Sequence, residues 1–477
     1  MTVEEELALL RAENQELRRQ LAETLELLAV ALQRNAELEL RNSALEQRIA
    51  ELEQGQGGPP SFVKQNRTKV KTPNKPRRKR DRQHNHGRRR EMPTIAVQHA
   101  LERCPECHYR LDGKSIDYIR QVIELPKPRP VEVIEHQVIK RYCPHCQRFQ
   151  SPQLDLKGQV FGHGRIGVGL ASLIAYLRQE LRMPVRSIQK YLETFHRFKV
   201  SIGEIVELMH DVRKVTTGTV AELKRQMQQS KIVHADETGW RENGQNGYIW
   251  SFSTPGSDEA VRYYEYDASR GHAVPARILD GKFHGHLVSD FYAGYNDYAG
   301  EHQRCWVHLL RDLHKLKEKH SEEAAVVEWA QAVRKVYDEA QEWLKTTRGP
   351  TQEQREKRYV ELVGQAHQLG LQYARIKEHP CWALSKRLLR HEDELFQFVL
   401  IEGLSADNNL AERSIRPMVV VRKISGGSRS DEGTKTRMAL ASLFGTWRAR
   451  GLNGFVECYK LLSQQPAHAG QTPLPQR

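Results

Sequence analysis

The chain has no long hydrophobic run. Its longest predominantly apolar stretch, Ile166 to Leu177, has twelve residues, whereas a helix that spans a bilayer needs about 20. Hydrophobic residues make up 39% of the 477 residues, which is low for a compact globule and indicates that part of the chain lies outside any core. At about 100–200 residues per domain, the length predicts at least two folded units.

An export signal and a disulfide framework are also missing. The chain starts with the acidic run Met-Thr-Val-Glu-Glu-Glu, without the basic and apolar segments of a signal peptide. It has seven cysteines, an odd number, and four of them form two Cys-x-x-Cys pairs. This pattern predicts metal binding in a reducing compartment. We therefore expect a soluble, intracellular protein.

The positive charge is concentrated in one segment. The net charge is +14, and residues 64–90 contribute +12 because they hold 13 Lys and Arg and one acid. Nearly free of large apolar side chains, this part of a 54–100 linker is expected to be disordered and to bind phosphate backbones, unless it is only a solubilising spacer. Its densest basic run is Arg77, Arg78, Lys79 and Arg80.

Residues 1–53 have the heptad pattern of a coiled coil. Eleven of fifteen seam positions are apolar, and Pro and Gly are absent. Asn14, Asn35 and Asn42 share one seam position, where a polar residue fixes register at some cost in stability. The pattern predicts a zipper that pairs chains into a homodimer or larger oligomer. The alternative is an amphipathic helix that folds onto its own chain.

Two cysteine pairs predict a structural zinc site in a module over residues 101–155. Each pair places two thiolates at a turn, and four thiolates can close a tetrahedral shell around Zn²⁺ without leaving a catalytic position open. Residues 131–139 between the pairs look strand-like, which is similar to a zinc ribbon with a hairpin insert. The predicted ligands are Cys104, Cys107, Cys143 and Cys146.

Residues 160–225 are predicted to be helical. The expected helices cover residues 166–181, 185–195 and 202–212, with a break at Met183-Pro184 and Ser201 as the cap of the third. A short turn followed by a capped helix is typical of a helix-turn-helix that reads a major groove. Any small helical bundle has a similar sequence pattern, so a bundle without a DNA-reading role is the alternative.

Two acids occur at the ends of predicted strands. Asp236 closes a short apolar strand that starts at Lys231, and Asp290 closes another over residues 286–290. With strands over 247–254 and 260–266 and a helix over 273–279, the order fits a ribonuclease H-like sheet, in which the first and fourth strands can be neighbours. Paired carboxylates repel, and Mg²⁺ or Mn²⁺ relieves that repulsion. The pattern predicts two-metal phosphoryl transfer.

A third acid is expected C-terminal to a helical insertion over residues 318–402. Glu412 is the best candidate, in a segment that looks like a helix turning into a loop at Pro417. Asp407 is the rival, although it can instead serve as a helix cap.

These motifs resemble those of bacterial DDE transposases of the insertion-sequence 66 family, the TnpC type. The resemblance covers nearly the whole chain, including the order of zipper, cysteine pairs and insertion. One departure is the run Ser425 to Ser430, where aromatic residues are often expected. The matching residues are Asp236-Glu-Thr-Gly with Trp250, Ser289-Asp290-Phe-Tyr-Ala-Gly-Tyr, Cys305-Trp-Val-His308, and Asp407-Asn-Asn-x-x-Glu412-Arg-x-Ile-Arg-Pro with Arg422-Lys423.

The resemblance implies that Asp236, Asp290 and Glu412 form a catalytic triad, with Asp236 bridging two Mg²⁺ or Mn²⁺ ions and the others holding one each. It implies cleavage at the ends of an insertion sequence followed by strand transfer into target DNA, in a bacterial, cytoplasmic and nucleoid-associated protein that can need accessory proteins of the same element. Two alternatives stay open: a zinc-dependent DNA-binding regulator with an inactive catalytic domain, and a nuclease without strand transfer.

Further residues are expected to lie around the three acids. Glu237 should point away from Asp236 because neighbouring strand residues alternate. Cys305 and His308 are expected to support the site or contact DNA, since two ligands are too few for a second metal. Five basic residues around a Gly-Gly turn can cradle DNA phosphates or form a solvated loop: Arg413, Arg416, Arg422, Lys423 and Arg429.

The predicted fold class is multidomain α/β. Its parts are a coiled coil (1–53), a basic disordered linker (54–100), a zinc ribbon-like module (101–155), a helix-turn-helix-like domain (160–225), a ribonuclease H-like core in two parts (228–317 and 403–463) around an all-α insertion (318–402), and a disordered tail (464–477).

Overall fold

A computed structural model describes residues 3–54, 90–161 and 164–465. The protein has mixed α/β structure and divides into two compact units, Met1–Glu124 and Leu125–Arg477, each of which is described by itself. The basic run Arg77–Arg80 and most of the predicted tail lie outside the described residues. In the described ranges, no helix is long and apolar enough to cross a membrane.

The first unit begins with a long helix, α1 (Val3–Gln54), over the segment where the heptad pattern predicts one. Seam leucines such as Leu17, Leu21 and Leu28 are more than half exposed. The pairing of two such helices stays a prediction.

The second unit opens with a small hairpin of strands β1 (Arg141–Cys143) and β2 (Arg148–Gln150). The strand predicted over 131–139 is wrong: the structure has no strand anywhere in residues 111–140, all of which it describes. The residues alternate as in a strand, but they have no neighbouring strand to satisfy their backbone groups.

Three helices follow: α2 (Val168–Gln179), α3 (Val185–His196) and α4 (Ile202–Gln228). The break before α3 and the cap at Ser201, whose Oγ accepts the Glu204 amide at 3.0 Å, are confirmed. The third helix runs much further than predicted because its second half packs on the sheet and helices of the following region. The apolar side chains of these helices and of the sheet form one hydrophobic core.

A five-stranded sheet lies at the centre of the second unit. Its strands are β3 (Ile232–Glu242), β4 (Gln245–Ser253), β5 (Arg262–Asp267), β6 (His286–Ser289) and β7 (His302–Arg304), with helix α5 (Ala273–Leu279) before β6. Their order is β5-β4-β3-β6-β7.

The first and fourth strands of the sheet are parallel neighbours, as predicted. β4 is antiparallel to both β3 and β5, and β7 is parallel to β6. The strand β7 was not predicted because its three side chains are polar, although all three are buried. β3 does not end at Asp236 as predicted: its hairpin with β4 continues to Glu242.

A helical region with its own hydrophobic core follows the sheet. It begins at residue 306, twelve residues earlier than predicted, because the helix that leaves β7 packs into this core. Its helices are α6 (Trp306–Lys319), α7 (Ala324–Thr346), α8 (Gln352–Tyr373), α9 (Trp382–Leu395) and α10 (Gln397–Leu400).

Three helices complete the second unit: α11 (Asn409–Ser425), α12 (Asp431–Ala449) and α13 (Gly454–Ser463). The prediction that α11 turns into a loop at Pro417 is wrong. Proline removes one helical hydrogen bond, but Met418 and Val421 beyond it pack against Trp240 and Ile249 of the β3–β4 hairpin. This burial keeps the second half of the helix in place.

Candidate active site

Asp236 and Asp290 lie on neighbouring parallel strands. The register pairs His234 of β3 with Val288 of β6. Continued by two residues, the same register sets Asp236 opposite Asp290, directly after the end of β6. The middle of β3 and the end of β6 therefore bring together two acids that are 54 positions apart in the sequence.

Glu412 is brought to the same place by Asn408, the residue that caps α11. The Asn408 side chain donates a hydrogen bond of 2.7 Å to the carbonyl of Ala235, next to Asp236. The Asn408 carbonyl accepts the amide of Glu412 at 3.1 Å. One buried asparagine thus fixes the first turn of α11 against β3.

The electrostatics of Asp236 reflect this convergence. Burial raises the pKa of Asp236, and together with the negative charges of Glu237, Asp290 and Glu412 it brings that pKa to about 7. Glu412 presents an oxygen, Oε1, that is buried and has no hydrogen-bond partner. Neighbouring buried acids raise the free energy of the folded protein unless a proton or a cation compensates their charge.

Asp407 has a local role at the entry to α11. Its Oδ1 accepts the amide of Asn409 at 3.0 Å, which is the turn-forming bond that aspartate commonly makes before a helix. The cap position itself belongs to Asn408.

Two residues that the sequence did not indicate hold Asp290. Arg304 of β7 is only 1% exposed and donates to the Asp290 carbonyl at 2.9 Å, while it also pairs with Glu394 at 2.5 Å. The amide of Tyr292 donates to Asp290 Oδ1 at 2.8 Å. A charged residue in a three-residue strand gives no sequence signal of this role, because its partner lies 90 residues away.

Glu237 is bound to other residues of the protein. Its carboxylate accepts hydrogen bonds from Arg270 and from the Tyr295 hydroxyl, both at 2.6 Å, and its side chain is 2% exposed. Burial raises the pKa of Glu237, whereas the Tyr295 and Arg270 bonds lower it. These contacts fit the structural role expected from strand alternation.

Cys305 and His308 lie at the start of α6 beside the acids. Cys305 is the cap residue of the helix and is fully buried, and its sulfur accepts the Asn408 amide at 3.2 Å. His308 Nε2 is 3.8 Å from Glu412 Oε1. Both predicted supporting residues are therefore next to the element that carries Glu412.

The predicted basic cluster divides into groups with different surroundings. Arg422 turns inward and donates to Thr238 and to the Gly239 carbonyl, while Lys423 and Arg429 are exposed. In the adjoining turn, the amides of Gly426 and Ser428 are bound to the carbonyls of Arg422 and Arg241. Those two amides are not free to cradle a phosphate. Arg413 and Arg416 are exposed on another face of α11.

The two cysteine pairs lie in different units, Cys104 and Cys107 in the first and Cys143 and Cys146 in the second. In each pair, amides of the turn bind the first sulfur: those of Cys107 and Glu106 lower the pKa of Cys104, and that of Cys146 lowers the pKa of Cys143. Across the described ranges, no group of three or more His, Cys, Asp or Glu side chains is close enough to hold a metal ion.

The comparison with known families covers most of the second unit, including the residues that carry the acids. The family model "Transposase IS66 family" matches residues 163–436, more than half of the chain. The chain belongs to this family, as its motifs predict.

One relative is an uncharacterised protein, y4qI, of Sinorhizobium fredii. It is 24% identical over 225 residues, which cover 43% of this chain and 41% of that protein. The chain thus matches about two fifths of the length of this relative.

Proposed function

We propose that the protein is a transposase that cleaves DNA at the ends of an insertion sequence and joins them to target DNA, with Asp236, Asp290 and Glu412 as its catalytic acids. The observation that carries the proposal is the convergence of these acids from β3, β6 and α11, which raises the pKa of Asp236. The strand order β5-β4-β3-β6-β7 fits the ribonuclease H-like sheet that we propose, and membership of the family supports the same reaction.

The donor chemistry of these residues suits a divalent metal ion, although the three side chains would have to draw closer together to hold one. The site offers carboxylate oxygens, which are the ligands that Mg²⁺ and Mn²⁺ prefer, and one of them, Glu412 Oε1, is buried without a partner. Asp236, Asp290 and Glu412 would hold the ions. Bound there, two ions would activate the attacking hydroxyl and stabilise the leaving oxygen.

The reaction consists of two phosphoryl transfers. Water attacks the phosphorus at the element end, the bond to the 3′ oxygen breaks, and that oxygen leaves with a proton as a 3′-hydroxyl. This hydroxyl then attacks a target phosphodiester, forms the new bond and releases a target 3′-hydroxyl. The protein contributes position: Asn408 holds the turn of Glu412, and Arg304 holds the backbone of Asp290.

The remaining modules would bind and pair the DNA ends. We propose that the exposed leucine seam of α1 pairs two chains so that two ends are held together. The cysteine pairs would hold a structural Zn²⁺, and the α2–α4 helices would contact element-end DNA. Accessory proteins of the same element are possible further partners in this scheme.

A joined-product assay tests the proposal. The full chain is incubated with labelled DNA from the flanks of its gene, a supercoiled target plasmid and Mg²⁺. We expect nicked ends and a labelled plasmid, and neither product when a chelator replaces Mg²⁺. Nicking without joining would indicate a nuclease. Binding without metal-dependent nicking would indicate a regulator with an inactive catalytic domain. Either result would overturn the proposal.

A further inference from the structure

An arginine-lined groove lies on the second unit, along the helix that carries Glu412. Its volume is ≈ 520 Å³. It is formed by the end of α2 and the loop after it, by β5, and by the facing sides of α11 and α12. The arginines that line it are Arg182, Arg262, Arg413, Arg416 and Arg448.

The groove has a large excess of positive charge. Glu180 is the one carboxylate among its lining residues, and it pairs with Arg448 at 3.0 Å. Arg262 donates to the neutral carbonyls of Thr254 and Val261 at 2.7 and 2.8 Å, and burial lowers its pKa. Most of the positive charge in the groove therefore has no negative partner among the lining residues. A bound anion would compensate it.

One more arginine of α12 is buried, although it does not line the groove. Arg437 belongs to α12, the helix that contributes Arg448, and it is 6% exposed. Its side chain donates to neutral Gln179 at 3.0 Å. Burial, together with the charge of Arg178, lowers the pKa of Arg437 to about 9.

One helix links the groove to the acids. Arg413 and Arg416, with Leu410, Pro417 and Val420, line the groove from one side of α11. Glu412, on the same turn as Arg413, points instead toward His308. A ligand in the groove would thus run alongside the residue proposed to hold the metal.

We infer that this groove binds the sugar–phosphate backbone of double-stranded DNA next to the bond that is cut. The guanidinium group matches a phosphate with two parallel hydrogen bonds, and a row of such groups suits a repeating polyanion better than a single small anion. The inference rests on the proposed function, because it takes DNA as the substrate.

Arg413 and Arg416 are exposed, so the double variant R413A/R416A should fold. We expect weaker binding to a short fluorescent duplex of arbitrary sequence. The slope of log K against log salt should become shallower by about 2, since each lost phosphate contact removes about 0.9. The matched control is R334A/R348A, which removes two exposed arginines from the helical region.

The outcomes separate this inference from the proposed function. If R413A/R416A keeps the DNA affinity and salt slope of the wild type, and the wild type cleaves DNA, the groove does not bind DNA as inferred. The transposase proposal would then still stand. A shallower slope in R413A/R416A but not in R334A/R348A supports the groove, whether or not the wild type joins DNA. An equal loss in both double variants would show a diffuse charge effect and would contradict a specific groove.

Discussion

Asp236 is held in the folded protein at an electrostatic cost. Burial and the neighbouring acids raise its pKa to about 7 from the ordinary 3.8. An acid with a raised pKa destabilises the fold as the pH rises, because the unfolded chain ionises first. The residue that the reaction needs is thus one that the fold alone would not favour.

The amide variant D236N should remove this cost. Below about pH 4 both forms of wild-type Asp236 are protonated, and the wild type should lose stability relative to D236N as the pH rises through about 7. In a metal chelator, we expect the Tm of D236N to exceed that of the wild type by a margin that grows between about pH 4 and pH 7 and levels off above it.

Thermal scans of both proteins measure this margin, with D338N, which changes an exposed acid of α7, as the control. Added Mg²⁺ should raise the Tm of the wild type and leave D236N nearly unchanged, because a ligand stabilises only the form that binds it. A margin that is constant over this pH range would contradict the raised pKa.

At the scale of single residues, the sequence revealed the acids but not the residues that hold them. Asp236 and Asp290 could be predicted because each follows a short run of apolar residues. Asn408 and Arg304 could not, since their bonds reach Ala235 and Glu394, 173 and 90 positions away. Distant partners leave no periodic pattern along the chain.

Among the elements, α11 depends on its C-terminal turn. Gly427 has a φ of +126°, and a Cβ there would lie 2.1 Å from the carbonyl oxygen of Arg241. The turn thereby fastens the end of α11 to the β3–β4 hairpin, and the contacts of Met418 and Val421 continue the attachment along the helix.

We expect G427A to destabilise the protein by about 1–3 kcal/mol, the usual cost of a residue forced into such a conformation, and by more where the clash cannot relax. Urea unfolding measures the loss. G364A is the matched control, because Gly364 lies in α8 and a Cβ there meets nothing within 4 Å. Alanine there should be neutral or stabilising. Equal effects of the two variants would contradict this account of the turn.

Elements with a strong local pattern could be predicted, whereas those decided by packing could not. The breaks around α3 and the Ser201 cap follow from Met183-Pro184 and from the serine itself. The second half of α11 and the buried polar strand β7 depend on contacts with residues far along the chain. The alternation over 131–139 predicted a strand, but the structure has none there, because no neighbouring strand pairs with these residues.

At the scale of the whole molecule, two paired chains are proposed to hold two DNA ends. The variant L17E/L28E places charge at two seam positions of α1 that are more than half exposed. We expect it to lower the mass measured by light scattering to that of a single chain, and to reduce joining more than nicking. The control L40E changes a leucine outside the seam that is 75% exposed. An unchanged mass for L17E/L28E would contradict the zipper.

Three particular acids are proposed to perform the chemistry. Metal-dependent nicking of element-end DNA by single variants tests this most directly. We expect D236A, D290A and E412A to reduce nicking to background while DNA binding is retained. D407A should retain nicking, because Asp407 binds the amide of Asn409 at the entry to α11. Undiminished nicking and strand transfer by E412A, with loss of both in D407A, would contradict the account and assign the third position to Asp407.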